Sequence, residues 1–495
     1  MVFNSFPFIF FFVPIVVAGF YFLARKDHGW AITWLVLASL CFYGLWDYRY
    51  LPILLSSIVI NYSACRWLLA AGRAKHPWRL AISISFNLIL LCFFKYVNFF
   101  IGSINGVSGT ALPSLDIILP IGISFFTFTQ IAVLVDAYHG KIKEMRFSHY
   151  CLFASYFPYI VAGPILRQQE MLPQFAAMGE GEQQNNCRPG AGNFAVGISI
   201  FIFGLGKKLL IADNLGAAMN PVFAGDSPQF FQAWLGMLAY TFQLYFDFSG
   251  YSDMAIGVSR LLGFKIPINF NSPYKATSIS DFWQRWHISL SQFLKNYLYI
   301  PLGGNRSGQL MRYRNLILTM LLGGLWHGAN WTFVIWGGLH GLYLCVQHGW
   351  QFLRKSRGEH KIPSAAHRAA NRLLTWALTF LAVLVAWCFF RAPDVASALA
   401  VLAGMAGLHG ISPVTEIDSL AYIMLFFSAV AAFWLPNTNE LFLSSGSRDD
   451  ASSRPLSLFR ANWSPTLRWG LAVGLVFALC LLSIEQTNEF IYAQF

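Results

Sequence analysis

A chain of 495 residues that is 56% hydrophobic and 11% charged cannot clothe a globular surface, which usually needs about 25% charged residues. The formal net charge of +12 does not indicate nucleic acid, because the basic residues sit in short loops between apolar runs, as in membrane proteins. With a mean hydropathy of +0.52, the chain is predicted to be an all-α, polytopic integral membrane protein.

The first apolar run, 6–24, has no basic residue before it and is read as a span rather than a signal peptide. Further runs follow at 29–46, 51–71, 80–101, 119–137 and 149–165. The loops after the first, third and fifth carry Arg25/Lys26, Arg73/Lys75/Arg79 and Lys141/Lys143/Arg146. Alternation puts these three loops on one side, and their charge makes that side cytoplasmic. The N-terminus is therefore expected outside, with the bilayer as the chain's first partner.

Residues 1–165 form an N-terminal group of spans, 166–193 a polar loop, 194–348 a catalytic core and 349–495 the C-terminal spans of one membrane domain. Within the core, runs at 194–206 and 229–248 precede a stretch, 249–314, too polar for a simple span yet rich in aromatic residues. Irregular backbone at membrane depth survives only when buried in protein or lining a wet cavity, so a cavity or re-entrant region is expected there. Spans resume at 315–326, 329–347, 372–390, 395–408, 419–435 and 467–484, with 436–466 as a solvated loop. No fixed-period repeat and no matched pair of broken helices appears, which counts against a transporter. The eight cysteines show neither paired nor metal-ligand spacing and read as small buried hydrophobes.

Two histidine segments carry the functional signal. In Asp281-Phe-Trp-Gln-Arg-Trp-His-Ile-Ser-Leu-Ser291, a continuous helix would align Trp283, Trp286, His287, Leu290 and Leu294 along one stripe suited to the membrane–water boundary. In Leu321-Leu-Gly-Gly-Leu-Trp-His-Gly-Ala-Asn-Trp331, His327 lies between two apolar runs, at a depth where an ionisable group usually faces a cavity or pathway. Gly323, Gly324 and Gly328 remove side-chain bulk beside it. His340 reads as packing or polar glue.

Imidazole titrates near neutral pH and can take the proton of a hydroxyl nucleophile, which fits acyl transfer. A thioester donor needs neither a metal nor a phosphate-cradling loop, and neither motif is present; nor is a G-x-S-x-G elbow. Lys295, Arg306, Arg312 and Arg314 form a basic loop from which a helix to His327 would climb about 20 Å. Together with Arg285, they are the residues expected to hold a phosphate-bearing donor with a long arm, such as coenzyme A. Trp326, Asn330, Trp331, Trp283, Trp286, Asp247 and Asp253 are candidate tunnel-lining residues. The two acids must bond a basic group or line water, since a buried lone carboxylate is expensive.

These segments resemble the membrane-bound O-acyltransferase (MBOAT) family, most closely its bacterial branch typified by the membrane subunit of alginate O-acetylation. The resemblance rests on Leu119-Pro-Ile-Gly-Ile-Ser-Phe125, Phe157-Pro-Tyr-Ile-Val-Ala-Gly-Pro164, Gln243-Leu-Tyr-Phe-Asp-Phe-Ser-Gly-Tyr-Ser-Asp-Met-Ala-Ile256, both histidine segments, Tyr297-Leu-Tyr-Ile-Pro-Leu-Gly-Gly-Asn-Arg306 and Phe390-Arg-Ala. It also takes in Met1–Phe6 and the C-terminal Phe-Ile-Tyr-Ala-Gln-Phe495, where Ala493 stands in place of an expected aromatic residue. The resemblance implies a multi-helix bundle around a transmembrane tunnel, with re-entrant or interfacial helices. His327 matches the family's reactive histidine and His287 its second one. It further implies a bacterial inner-membrane enzyme, its N-terminus then periplasmic, that uses cytosolic acetyl-CoA, binds no cofactor or metal, and passes acetyl to an exported polysaccharide, alginate-type favoured. A periplasmic SGNH-type partner and polysaccharide machinery would assist. Other acceptors (peptidoglycan, cellulose, teichoic acid receiving D-alanine, a lipid), covalent passage through His327, and a polymer or acyl-group transporter remain open.

Overall fold

The computed structural model describes residues 1–70, 76–142, 144–177, 191–216, 227–356, 364–412, 419–443, 463–484 and 490–491. Arg73, Lys75, Lys143, Cys187, most of the predicted polar loops and Ala493 lie outside the described residues. The described chain is helical, without strands, and is a polytopic membrane protein. Helical runs over His28–Ala70, Pro77–Ser108, Gly192–Gly216 and Ala366–Arg391 are long and apolar enough to cross a membrane, and shorter apolar helices include Phe8–Ala24, Ile123–Tyr138 and Leu467–Ser483. Their outer faces present Leu373, Phe426, Leu475 and Leu482, a surface suited to lipid rather than water.

The chain divides into two compact units. The first comprises Met1–Gly206, Gly250–Ile268 and Ser464–Gln494. Its core is aromatic: Phe3 stacks on Phe8 and on Tyr251, and Phe490 meets Tyr251 edge-on. The second comprises Lys207–Ser249, Asn269–Trp463 and Phe495, and holds both histidine segments.

Three expectations change. The run at 149–165 is not one span: the helix Phe147–Ser155 ends before a buried turn containing Tyr156, Phe157 and Tyr159, where aromatic packing rather than helix length keeps the segment inside. The run at 229–248 does not stop there, because the helix Phe230–Leu261 carries Asp247, Ser249, Ser252 and Asp253 onward in regular backbone. Those polar residues are buried, so their polarity marks interior neighbours and not a helix end. Finally, 281–294 is two short helices, Ile279–Arg285 and Ile288–Leu294, broken at Trp286 and His287.

Beyond that break the chain matches the expected irregular region, with turns over 300–307 before the helix Gly308–His327. This helix and Trp331–Ser356 form a tight antiparallel pair. A Cβ on Gly324 would strike the carbonyl oxygen of Phe333, and one on Gly337 that of Met320, so backbone meets backbone at both points. Gly328 is filled from outside by the Phe333 ring.

Candidate active site

His327 is the last residue of its helix, and Gly328 turns the chain into extended backbone immediately after it. Asn330 then fixes the turn: its Oδ1 accepts from the Thr332 N–H at 3.1 Å and its Nδ2 donates to the Pro393 carbonyl at 2.7 Å. His327 is 3% exposed. Its ring meets Trp336 edge-on at 5.0 Å, Phe390 at 5.2 Å and Trp326 at 4.9 Å between centroids. The ring of His287 lies 6.4 Å away, close enough for both imidazoles to address one small acyl group.

His287 owes its position to strained backbone. It is one of the two residues between the short helices and, though not a glycine, sits in the left-handed region at φ 42°. Such a conformation persists only where the surroundings hold it. Here Phe248 packs edge-on at 4.8 Å, and Asn269 Oδ1 lies 3.1 Å from His287 Nδ1. The same oxygen accepts from the Ser289 backbone N–H at 3.2 Å and from Ser289 Oγ at 2.9 Å. A backbone N–H requires an acceptor, which fixes the amide orientation. His287 Nδ1 is therefore the donor to Asn269, and Nε2 of the neutral ring carries the lone pair.

The tryptophans divide. Trp283 and Trp286 are buried within the protein, with Trp286 stacked on Phe282 at 5.7 Å and against Trp387 at 4.9 Å. Trp326 is buried beside His327, whereas Trp331 points outward at 54% exposure. His340, wholly buried, accepts a hydrogen bond from Trp283 Nε1.

Asp247 is paired. Its Oδ1 receives Lys208 Nζ at 2.7 Å, and the same ammonium reaches Asp213 Oδ1 at 2.8 Å. Asp253, buried on the same helix six residues on, belongs to the other compact unit.

Of the basic residues, Lys295, Arg306 and Arg312 line one cavity of about 560 Å³, whose inner wall includes Trp283 and Met320. Arg285 is held by Asp281 at 2.6 Å, and Arg314 by Asn315 at 2.9 Å; neither lines that cavity. From Trp283 a chain of rings leads inward to Trp336 at 5.8 Å and on to His327 at 5.0 Å. Among the described residues, no three His, Cys, Asp or Glu side chains converge as a metal-ligand set.

Asn269 and Trp336 pack against the two histidines and Lys208 pairs with Asp247, and nothing local in the sequence points to them as site residues; Phe390 joins them from a motif of the resemblance. Asn269 falls within the stretch too polar for a simple span, and Lys208 reads only as the charge that ends one.

The model of the membrane-bound O-acyltransferase family matches residues 27–388. The chain belongs to that family. It is a membrane acyltransferase, and its relatives span several acceptors. It is 44% identical to the peptidoglycan O-acetyltransferase of Helicobacter pylori, over 83% of this chain and 81% of that protein. A probable alginate O-acetylase of Azotobacter vinelandii is 38% identical over the full length of both. A teichoic acid D-alanyltransferase of Streptococcus thermophilus is 28% identical over 49% of this chain and 59% of that protein.

Proposed function

We propose that the protein is the inner-membrane subunit of a cell-envelope polysaccharide O-acetylation system, with its N-terminus outside and acetyl-CoA as cytosolic donor. The observation that carries this reading is the pair of buried imidazoles at 6.4 Å, reached by a line of aromatic rings from a cavity edged with Lys295, Arg306 and Arg312. The basic rim suits the donor's phosphates, and the aromatic interior suits an uncharged thioester arm.

In the chemistry, His327 takes the proton of the acceptor hydroxyl as its oxygen attacks the thioester carbonyl. The carbon–sulfur bond breaks, and the departing thiolate recovers that proton from the imidazolium. His287, oriented by Asn269, supports the same acyl group from the other side. A uronate polymer of the alginate type is the favoured acceptor, supported by the full-length likeness to the Azotobacter protein. An SGNH-type partner outside the membrane would complete delivery. The 44% identity to the Helicobacter protein favours peptidoglycan as the second reading.

The test is acetyl transfer from radiolabelled acetyl-CoA by the purified protein with each polymer. His327→Ala should insert normally and lose transfer. Normal transfer by a correctly inserted variant would overturn the assignment, and the polymer that gains label identifies the acceptor.

A further inference from the structure

A second cavity, of about 540 Å³, lies at the start of the helix Ala365–Arg391, in the second unit and separate in lining from the donor cavity. Three cations line it, Lys275, Arg368 and Arg372, and no carboxylate does. The rest of the wall is largely apolar and aromatic, with Trp376, Phe433 and Trp434.

The order of these groups along the helix matters. Arg368, Arg372 and Trp376 recur every four residues and so share one stripe, rising about 12 Å from first to last. Residues 366–391 form one of the apolar runs able to cross a membrane. The stripe therefore presents positive charge at the water-side end and an aromatic ring one turn deeper, the sequence of environments found from phospholipid headgroup to acyl chain.

The walls are built and fixed. Trp376 Nε1 donates to the Tyr274 carbonyl at 2.9 Å, and its ring meets Phe433 edge-on at 5.3 Å. Lys275 Nζ donates to the Leu435 carbonyl at 2.7 Å, which holds the ammonium at the rim. The Ser364 hydroxyl accepts the His367 N–H at 3.2 Å and caps the helix, so the positive end of its dipole adds to the arginines. A freely soluble anion would leave the aromatic floor unused, and a zwitterionic lipid would gain little from three cations.

From this arrangement we infer that the cavity is a binding site for the headgroup and upper acyl chains of one anionic phospholipid. The test titrates the purified full-length protein in detergent with phosphatidylglycerol, phosphatidylcholine and glycerol 3-phosphate, reading occupancy by native mass spectrometry. The wild type should hold phosphatidylglycerol in preference to the other two. In the Arg368→Gln/Arg372→Gln variant its affinity should fall roughly 30-fold, equivalent to about 1 kcal/mol per arginine. The charge-conserving Arg368→Lys/Arg372→Lys variant should retain most of the binding. Equal phosphatidylglycerol affinity in the wild type and glutamine variant would overturn the inference, as would equal retention of phosphatidylcholine. Equally tight binding of glycerol 3-phosphate would also overturn it and assign the cavity to a soluble phosphate.

Discussion

The indole N–H of Trp283 donates to Nδ1 of His340 at 3.2 Å, joining the short helix Ile279–Arg285 to the long helix Trp331–Ser356. Because indole can only donate, Nδ1 must accept, and the ring proton of a neutral His340 resides on Nε2. Trp283 also lines the basic cavity, so one side chain both borders that cavity and orients a buried imidazole. Trp283→Phe keeps most of the ring but leaves a buried acceptor unsatisfied, at about 1–3 kcal/mol. The variant should show a lower thermal midpoint and several-fold slower transfer, and unchanged values of both would refute this coupling.

Asn269 governs His287. Asn269→Ala removes the acceptor shared by His287 Nδ1 and both donors of Ser289, so the left-handed turn and the tautomer lose their support together. Transfer should fall nearly as far as in His287→Ala. The double variant should be little worse than either single one, as expected of residues acting as a unit. Additive losses would show that Asn269 acts elsewhere.

At the buried triad, the two sides of the pairing are unequal. Lys208→Met removes the ammonium that Asp213 and Asp247 share, whereas Asp247→Asn leaves Lys208 still paired with Asp213. Breaking a buried pair costs about 3–5 kcal/mol. The lysine variant should therefore be the less stable in thermal unfolding of the purified protein, and the reverse order would contradict the triad.

The basic rim separates binding from chemistry. Arg306→Gln/Arg312→Gln should raise the KM for acetyl-CoA about tenfold or more while changing kcat little, because these side chains line a cavity whose lining does not include His327. Steady-state kinetics on the purified enzyme decide this, and a loss confined to kcat would remove the cavity from the donor's path.

Much of this is legible in the sequence, for physical reasons that differ from residue to residue. His327 stands out because an ionisable side chain among apolar residues and glycines is costly at membrane depth and is kept where it faces a pathway. The break beside His287 is hidden, since the apolar spacing of Trp283, Trp286, Leu290 and Leu294 continues smoothly across it and no glycine marks the positive φ. Asn269 sits 18 residues from its histidine, and only the fold joins them. Lys208 and Asp247 are likewise 39 residues apart. The basic loop supplies Lys295, Arg306 and Arg312 to one cavity. Arg285 is taken by Asp281, a partner four residues back that the helical spacing already offers. Trp331 shows the limit of motif reading: it closes the histidine segment, yet it is largely exposed while Trp326 is buried.

The touching backbones at Gly324 and Gly337 have a consequence for how the enzyme opens. Where side chains separate two helices, a change of rotamer can let one slide past the other. Here the carbonyls of Phe333 and Met320 leave no such slack, so His327 rides on a hairpin that moves as one piece. The histidine keeps a fixed place relative to both helices, like a stop on a ruler. Rearrangement around His327 falls instead to neighbours outside the hairpin, Phe390 and the strained turn that carries His287.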